Sequence, residues 1–212
     1  MRRISRDRHA CLVGQTPVIL DIASGRYQLV RGTTGEHLAA FLAAQERPET
    51  LAALAHAQLL DLSTIKGQGS LQIVAPRYSQ LDHIALKDGW RLAPIALLLL
   101  CMAVIEVRRN ALHAILHRIE KEAVKPNLQR SSTSLATIAA SFELVQQFLP
   151  FENFCLPRSI AIARLLRHCG YRPTLVIGVQ LPIAAHCWVQ CDDALIGDRL
   201  ERIAAFEPIV AL

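Results

Sequence analysis

An uninterrupted apolar run from Leu92 to Ile105 constrains the fold of this chain more than any other feature. It spans 14 residues, with Leu97 to Leu100 at its centre, before Glu106 closes it. A helix that crosses a bilayer needs about 20 such residues, so stable membrane insertion is not expected. Pro94 near its start, Arg91 before it and Arg108 and Arg109 after it frame a short helix. A helix that is apolar all round belongs in a protein interior, and the run therefore predicts a core helix. The alternative is an interfacial segment that docks on a membrane-bound partner. Such a core needs aliphatic neighbours, and the composition supplies them. Hydrophobic residues make up 52% of the 212, but aromatics only 5%. A chain this apolar can offset its ordering entropy, which argues against disorder, and its aliphatic bias favours helices.

Charge excludes little. The formal surplus is +5, spread as +3 over residues 1–80 and +2 over 81–212. No basic run exceeds two residues and no aromatics interleave with basic residues, so no nucleic-acid partner is expected. Arg2, Arg3, Arg6 and Arg8 form the densest cluster. Asp7 interrupts it and no apolar stretch follows, so it is not a secretory signal. The six cysteines, at positions 11, 101, 155, 169, 187 and 191, contain no Cys-x-x-Cys pair. A chain of this length needs no disulfide framework, and a cytoplasmic location is expected.

The first 78 residues read as short strands followed by helices. Ala10–Val13, Val18–Ile22 and Tyr27–Val30 are β-prone, and Ala23-Ser24-Gly25-Arg26 is a turn that makes a hairpin of the last two. Thr33-Thr34-Gly35-Glu36 predicts a capping-box helix start. Pro48-Glu49-Thr50 opens a second helix, a third begins near Leu59 and runs to Ile65, and Leu71–Val74 closes as a strand or wing. Ala75 to Gly89 reads as a linker. Helices follow over Leu92 to about Ala123 and over Leu135–Phe148. The last block starts with Cys155, and Pro157 suits a first helical turn. Cys169-Gly170 stops that helix. Thr174–Val179, His186–Gln190 and Ala194–Ile196 are strands, with Asp192-Asp193 as the turn between the last two.

One constellation carries chemistry: Cys155 at a helix start, His186 in a strand, and Asp198 just past the end of the next. A thiol is mostly protonated at neutral pH. A helix N-terminus stabilises its thiolate, a neighbouring imidazole activates it and protonates the leaving group, and a carboxylate orients that imidazole. Adjacent antiparallel strands can set His186 and Asp198 side by side. Asp192 and Asp193 are rival carboxylates, disfavoured by their place at a turn tip. Trp188 shares the His186 face. The Cys155 N–H and Asn153 are candidate oxyanion donors, and Arg158 reads as a structural ion-pair residue. A metal site from the three residues lacks a spaced fourth ligand.

Cys155-Leu156-Pro157-Arg158-Ser159, Leu175-Val176-Ile177-Gly178-Val179, Ala185-His186-Cys187-Trp188-Val189 and Asp198 together resemble the lasso-peptide biosynthesis B protein. That family comprises transglutaminase-like cysteine peptidases that remove the leader of a ribosomally made precursor. It usually has Ala where Cys187 stands. The first residues resemble, by pattern and position, a RiPP recognition element, which binds the leader as an added strand. The resemblance implies an α+β chain of two parts. A winged-helix-like leader-recognition domain would occupy 1–78, and a transglutaminase-like (papain-like) cysteine peptidase domain 79–212. It implies Cys155, His186 and Asp198 as the catalytic residues. The receiving edge would be Tyr27, Gln28, Leu29 and Val30, with the third helix as the other wall. It implies no metal and no directly bound cofactor. The implied partners are the leader region of the precursor peptide and an asparagine-synthetase-like cyclase, through which ATP would be required. Two other readings stand beside it: a different transglutaminase-like acyl transferase or amidase, and a non-catalytic leader-binding scaffold.

Overall fold

A computed structural model of the chain describes residues 1–45, 47–61, 73–122, 133–149 and 154–212. It has a mixed α+β architecture. The chain opens with a meander of four antiparallel strands in the order β1–β2–β3–β4: β1 (Arg2–Ser5), β2 (Arg8–Val13), β3 (Thr16–Asp21) and β4 (Arg26–Leu29). The hairpin of β3 and β4 stands where the turn signal put it, with Asp21 paired to Arg26. Strand β1 carries no local pattern that predicts it. Two helices, α1 (Gly32–Leu42) and α2 (Pro48–His56), follow.

The capping-box start of α1 is corrected. The helix begins at Gly32 with Arg31 as N-cap, and no side chain caps it. Gly32 has φ +69°, so the chain turns into the helix before either threonine reaches the cap position. Leu59 and Leu60 are described and not helical. Asp61 is likewise described and not helical, and Ile73 and Val74 are described and form no strand; residues 62–65 of the expected third helix and 71–72 of the expected wing lie outside the described residues.

The meander buries both faces. Ile4, Ala10 and Ile19 pack with Leu38, Phe41 and Leu54 of α1 and α2. On the other face Cys11, Val18, Leu20 and Ile22 join the main core with residues of the second half. That is why β3 is buried continuously rather than at alternate positions. The expected division at 78/79 falls inside β5 (Tyr78–Ser79).

Residues 75–89, expected as a linker, are structured and packed. Tyr78 and Ser79 pair in parallel with Ala194 and Leu195. Two 3₁₀ turns follow, Gln80–His83 and Leu86–Gly89. Then come α3 (Ala93–Arg109), α4 (Leu112–Glu122), α5 (Leu135–Phe148) and α6 (Cys155–His168). The helical block expected over Leu92 to about Ala123 is two helices, parted at Asn110, which is extended. The second sheet has the order β5–β8–β7–β6–β9, built from β6 (Thr174–Gln180), β7 (Ala184–Cys191), β8 (Ala194–Ile196) and β9 (Glu207–Ala211). A short helix, α7 (Leu200–Ile203), precedes β9.

The fully buried apolar helix is also corrected. Ala96, Leu100, Ala103 and Glu106, spaced four, three and three, form the buried face of α3. Ile95, Leu97, Leu98, Met102 and Ile105 are exposed, Leu98 by 60%. A run without polar residues marks no face, so only the packing partners decide which side is covered. No helix of the described residues is long and apolar enough to cross a membrane.

Glu106 locks three helices together. Its carboxylate accepts from Arg118 Nη1 of α4 and Arg164 Nη1 of α6, both at 2.7 Å, and Arg164 also pairs with Glu122 at 3.2 Å. The Glu106 side chain is 8% exposed. Without Glu106, Arg164 keeps Glu122 and Arg118 is half exposed, so the loss is that of two charge-assisted hydrogen bonds and not of a whole buried pair. Glu106→Ala is expected to cost about 2 kcal/mol, roughly 6 °C in Tm at this size. A melt that moves by less than about 2 °C contradicts this account.

Candidate active site

Helix α6 begins at Cys155 itself. Its position at the helix start leaves the N–H without an intrahelical acceptor, and the N-terminal dipole end points at the thiol. The helix is tied to the sheet by Ser159, whose buried Oγ donates to the Cys187 carbonyl at 2.9 Å. That bond sets the thiol against β7. Cys155 lies in hydrogen-bond reach of the His186 side chain and of the backbone N–H groups of Cys187 and Leu156.

His186 sits opposite Gly178 in the β6–β7 ladder. A Cβ on Gly178 would stand 2.6 Å from the Trp188 ring and 2.9 Å from Phe206. Glycine is therefore required for those two rings to flank the imidazole. The ring centroids of Trp188 and Phe206 lie 6.3 and 5.2 Å from that of His186. Trp188 stands on the His186 face as the alternation predicts. Phe206 escapes sequence reasoning, because it follows α7 in a segment without a strand or motif signal.

Asp198 completes the cluster. Its Oδ2 lies 2.5 Å from His186 Nε2, which leaves Nδ1 for Cys155. Its Oδ1 accepts from the Arg199 N–H at 2.8 Å, and its main-chain carbonyl accepts from Ser79 Oγ at 2.6 Å. Gly197, at φ +71°, turns the chain off β8 so that Asp198 faces the imidazole. A Cβ there would meet Ile162 Cδ1 at 2.7 Å. Asp192, at φ +54°, and Asp193 occupy the β7–β8 turn, away from this group.

The three side chains reinforce one another's charge. Burial pushes the Cys155 thiol up, but the bonds from His186 and the two N–H groups outweigh it and hold it below the ordinary thiol value. Burial opposes a charged His186, yet Asp198 and Cys155 raise it to about 9. Burial likewise opposes the Asp198 carboxylate. The His186 and Arg199 bonds and the Arg202 charge win, and the carboxyl lies below its usual value. A thiolate–imidazolium pair is the result. By contrast, burial raises Cys11 to about 12 and raises Cys187 further, so both stay thiols. Cys101 is exposed.

A cavity of about 310 Å³ opens beside the cluster, with Phe154, Gln146, Arg158 and Arg202 in its walls. Arg158 pairs with Glu143 at 3.0 Å, the structural pairing read from its position. Asn153 lies outside the described residues. Among the described residues no group of His, Cys, Asp or Glu is arranged to hold a metal ion. The expected strand edge, Tyr27 to Val30, lies on the other sheet, and β4 is terminal in its order.

The pair has a testable pH signature. His186 is charged below about 9 in the folded chain and below 6.5 as a free side chain. Its contribution to stability is complete below 6.5 and is lost as pH rises through about 9. Iodoacetate, an anion, is drawn to a thiolate beside an imidazolium. Its reaction at Cys155, read by mass spectrometry, is expected to rise at a pH below the ordinary thiol value and to fall through about pH 9. A single inflexion at an ordinary thiol value contradicts the ion pair.

No curated protein and no solved structure matches the chain. A family model described as the transglutaminase-like superfamily matches residues 97–211, which include α6 and all three members of the cluster.

Proposed function

The chain belongs to the transglutaminase-like superfamily, and from that premise we propose that it is a leader peptidase of lasso-peptide maturation. The observation that carries the catalytic part is the Cys155–His186–Asp198 contact sequence at the mouth of a cavity. Cys155 Sγ attacks the carbonyl of the leader–core bond. The imidazolium gives its proton to the leaving amine, the new N-terminus of the core. The acyl group stays on sulfur as a thioester, which water hydrolyses with His186 as base. Asp198 keeps the Nε2–H tautomer while the ring is neutral in the thioester, and supports the imidazolium in the resting pair and again once it has taken the proton of water. The Cys155 N–H, free of an intrahelical acceptor, donates to the oxyanion.

Leader binding is assigned to the edge strand β4. Val30 donates to the Pro17 carbonyl. By antiparallel alternation Val30, Gln28 and Arg26 spend their backbone groups on β3, while Tyr27 and Leu29 turn theirs to the open edge. An extended leader can add there as a further strand. A groove beside it is walled by Ala39 and Ala40 of α1, by Ala43 just after that helix, and by Leu181 and Pro182 of the β6–β7 loop. The released core passes to an asparagine-synthetase-like cyclase, which supplies the ATP requirement; the peptidase itself takes no cofactor.

The test is mass spectrometry of a leader–core precursor incubated with the cyclase, ATP and either the wild-type chain or Cys155→Ala. The expected result is a free leader with the wild type alone. An intact precursor beside an active cyclase overturns the peptidase reading. Acyl transfer to an added amine without precursor cleavage supports the acyl-transferase alternative. Cleavage by Cys155→Ala would leave the chain as a scaffold.

A further inference from the structure

The segment before α3 is stitched along the hairpin that carries the cluster. Gln190 Nε2 donates to the Val74 carbonyl at 2.7 Å, Arg77 N–H to the Asp193 carbonyl at 2.7 Å, and β5 pairs with β8. At the end of this seam stands Ser79, 1% exposed. Its hydroxyl accepts from the Leu81 N–H at 3.0 Å. Its one proton is therefore left for the Asp198 carbonyl, at 2.6 Å.

Asp198 needs such a bond. The β7–β8 ladder ends at Ile196, and the left-handed Gly197 then swings the chain away from it. The Arg199 N–H and the Arg202 guanidinium also touch the carboxylate, but both follow Asp198 in sequence and move with it. Apart from His186, which it must orient, Ser79 ties Asp198 to a distant part of the chain, 119 residues away in sequence.

We propose that Ser79 is a positioning residue: its hydroxyl holds the Asp198 main chain so that the carboxylate meets His186 Nε2. This rests on the Cys155–His186–Asp198 reading above. It also makes residues 74–83, which precede the family-matched region, part of the active-site framework. A chain cut to the matched residues alone would carry all three reactive side chains and lack this support.

Thr and Val have the same shape and differ by one hydroxyl, so Ser79→Thr and Ser79→Val are compared, with Ser79→Ala as a smaller third variant. The readout is the pH profile of iodoacetate reaction at Cys155, with exposed Cys101 as internal reference. The charges that bear on His186 are Cys155 and Asp198, Arg158 and Arg202 act in turn on Asp198, and none is altered. Ser79→Thr is expected to keep the upper inflexion near its wild-type place. Ser79→Val and Ser79→Ala are expected to lower it by about one unit, which leaves reaction at neutral pH nearly unchanged and slows it by up to about tenfold above pH 9. Loss of packing alone would lower Tm in Thr and Val alike and leave no difference between them in the profile. Identical profiles for Thr and Val, or an unshifted Ser79→Ala, overturn the inference while the active-site reading survives. A wild-type profile without the upper inflexion overturns both.

Discussion

Cys155→Ala is expected to abolish precursor cleavage, by at least about 10⁴-fold, and to leave leader binding unchanged. When a nucleophile acts as one unit with its base, its removal costs nearly the whole covalent contribution. What remains is oxyanion donation and binding. The substitution takes one sulfur from a half-buried position at a helix start, so the fold is expected to survive and Tm to move by only a few degrees. The proposed leader edge lies on a separate sheet, so its affinity, measured by calorimetry or fluorescence anisotropy, should not follow the activity. Joint loss of binding and cleavage would mean that the peptide is held mainly at the cysteine. Retained cleavage would remove Cys155 from the chemistry altogether.

Asp198→Asn is the second large effect, and it separates geometry from charge. Asn has the shape of Asp and can still accept the Arg199 N–H through its amide oxygen. It carries no charge to support the imidazolium. It can also turn its NH₂ to the ring and favour the other tautomer, which puts a proton on the nitrogen that should receive one from Cys155. A loss of about 10³–10⁴ in kcat is the expected size, with KM little changed because Asp198 meets the imidazole and not the peptide. The upper limb of the pH profile should drop from about 9 towards 6.5. The Cys155 thiol should rise, since part of its stabilisation is the charge on His186. Activity within tenfold of wild type would show that Asp198 neither orients nor charges the imidazole. Ser79→Val is expected to resemble this variant in direction and to fall well short of it in size, because it loosens the carboxylate without neutralising it.

The cluster is legible in the sequence because each member sits beside a local signal. Pro157 and the glycine stop at Gly170 bracket α6, and these two signals alone place Cys155 at a helix start. Period-two patterning and the Asp192-Asp193 turn set β7 against β8, which brings His186 near Asp198. The same rules miss β9, because nothing local in Glu207–Ala211 says that it pairs with β6. They also turn residues 75–89 into a linker. Two residues of parallel pairing and two 3₁₀ turns carry no periodicity, and Ser79 is an ordinary serine until Asp198 is placed next to it.

The run from Leu92 to Ile105 marks the same limit. Its length alone forbids a bilayer span, and its composition alone makes it a helix. Neither says which side of α3 is covered, since every position offers similar apolar surface. That depends on where α5 and α6 lie, and on Glu106 reaching Arg118 and Arg164. Local patterning thus determines which elements form and which reactive residues stand at their ends. Contacts between residues far apart in the chain decide which faces are buried, how Ser79 holds Asp198 and which rings shield His186. Backbone propensity acts over a few residues, whereas burial and hydrogen bonding act between any groups that the fold brings together.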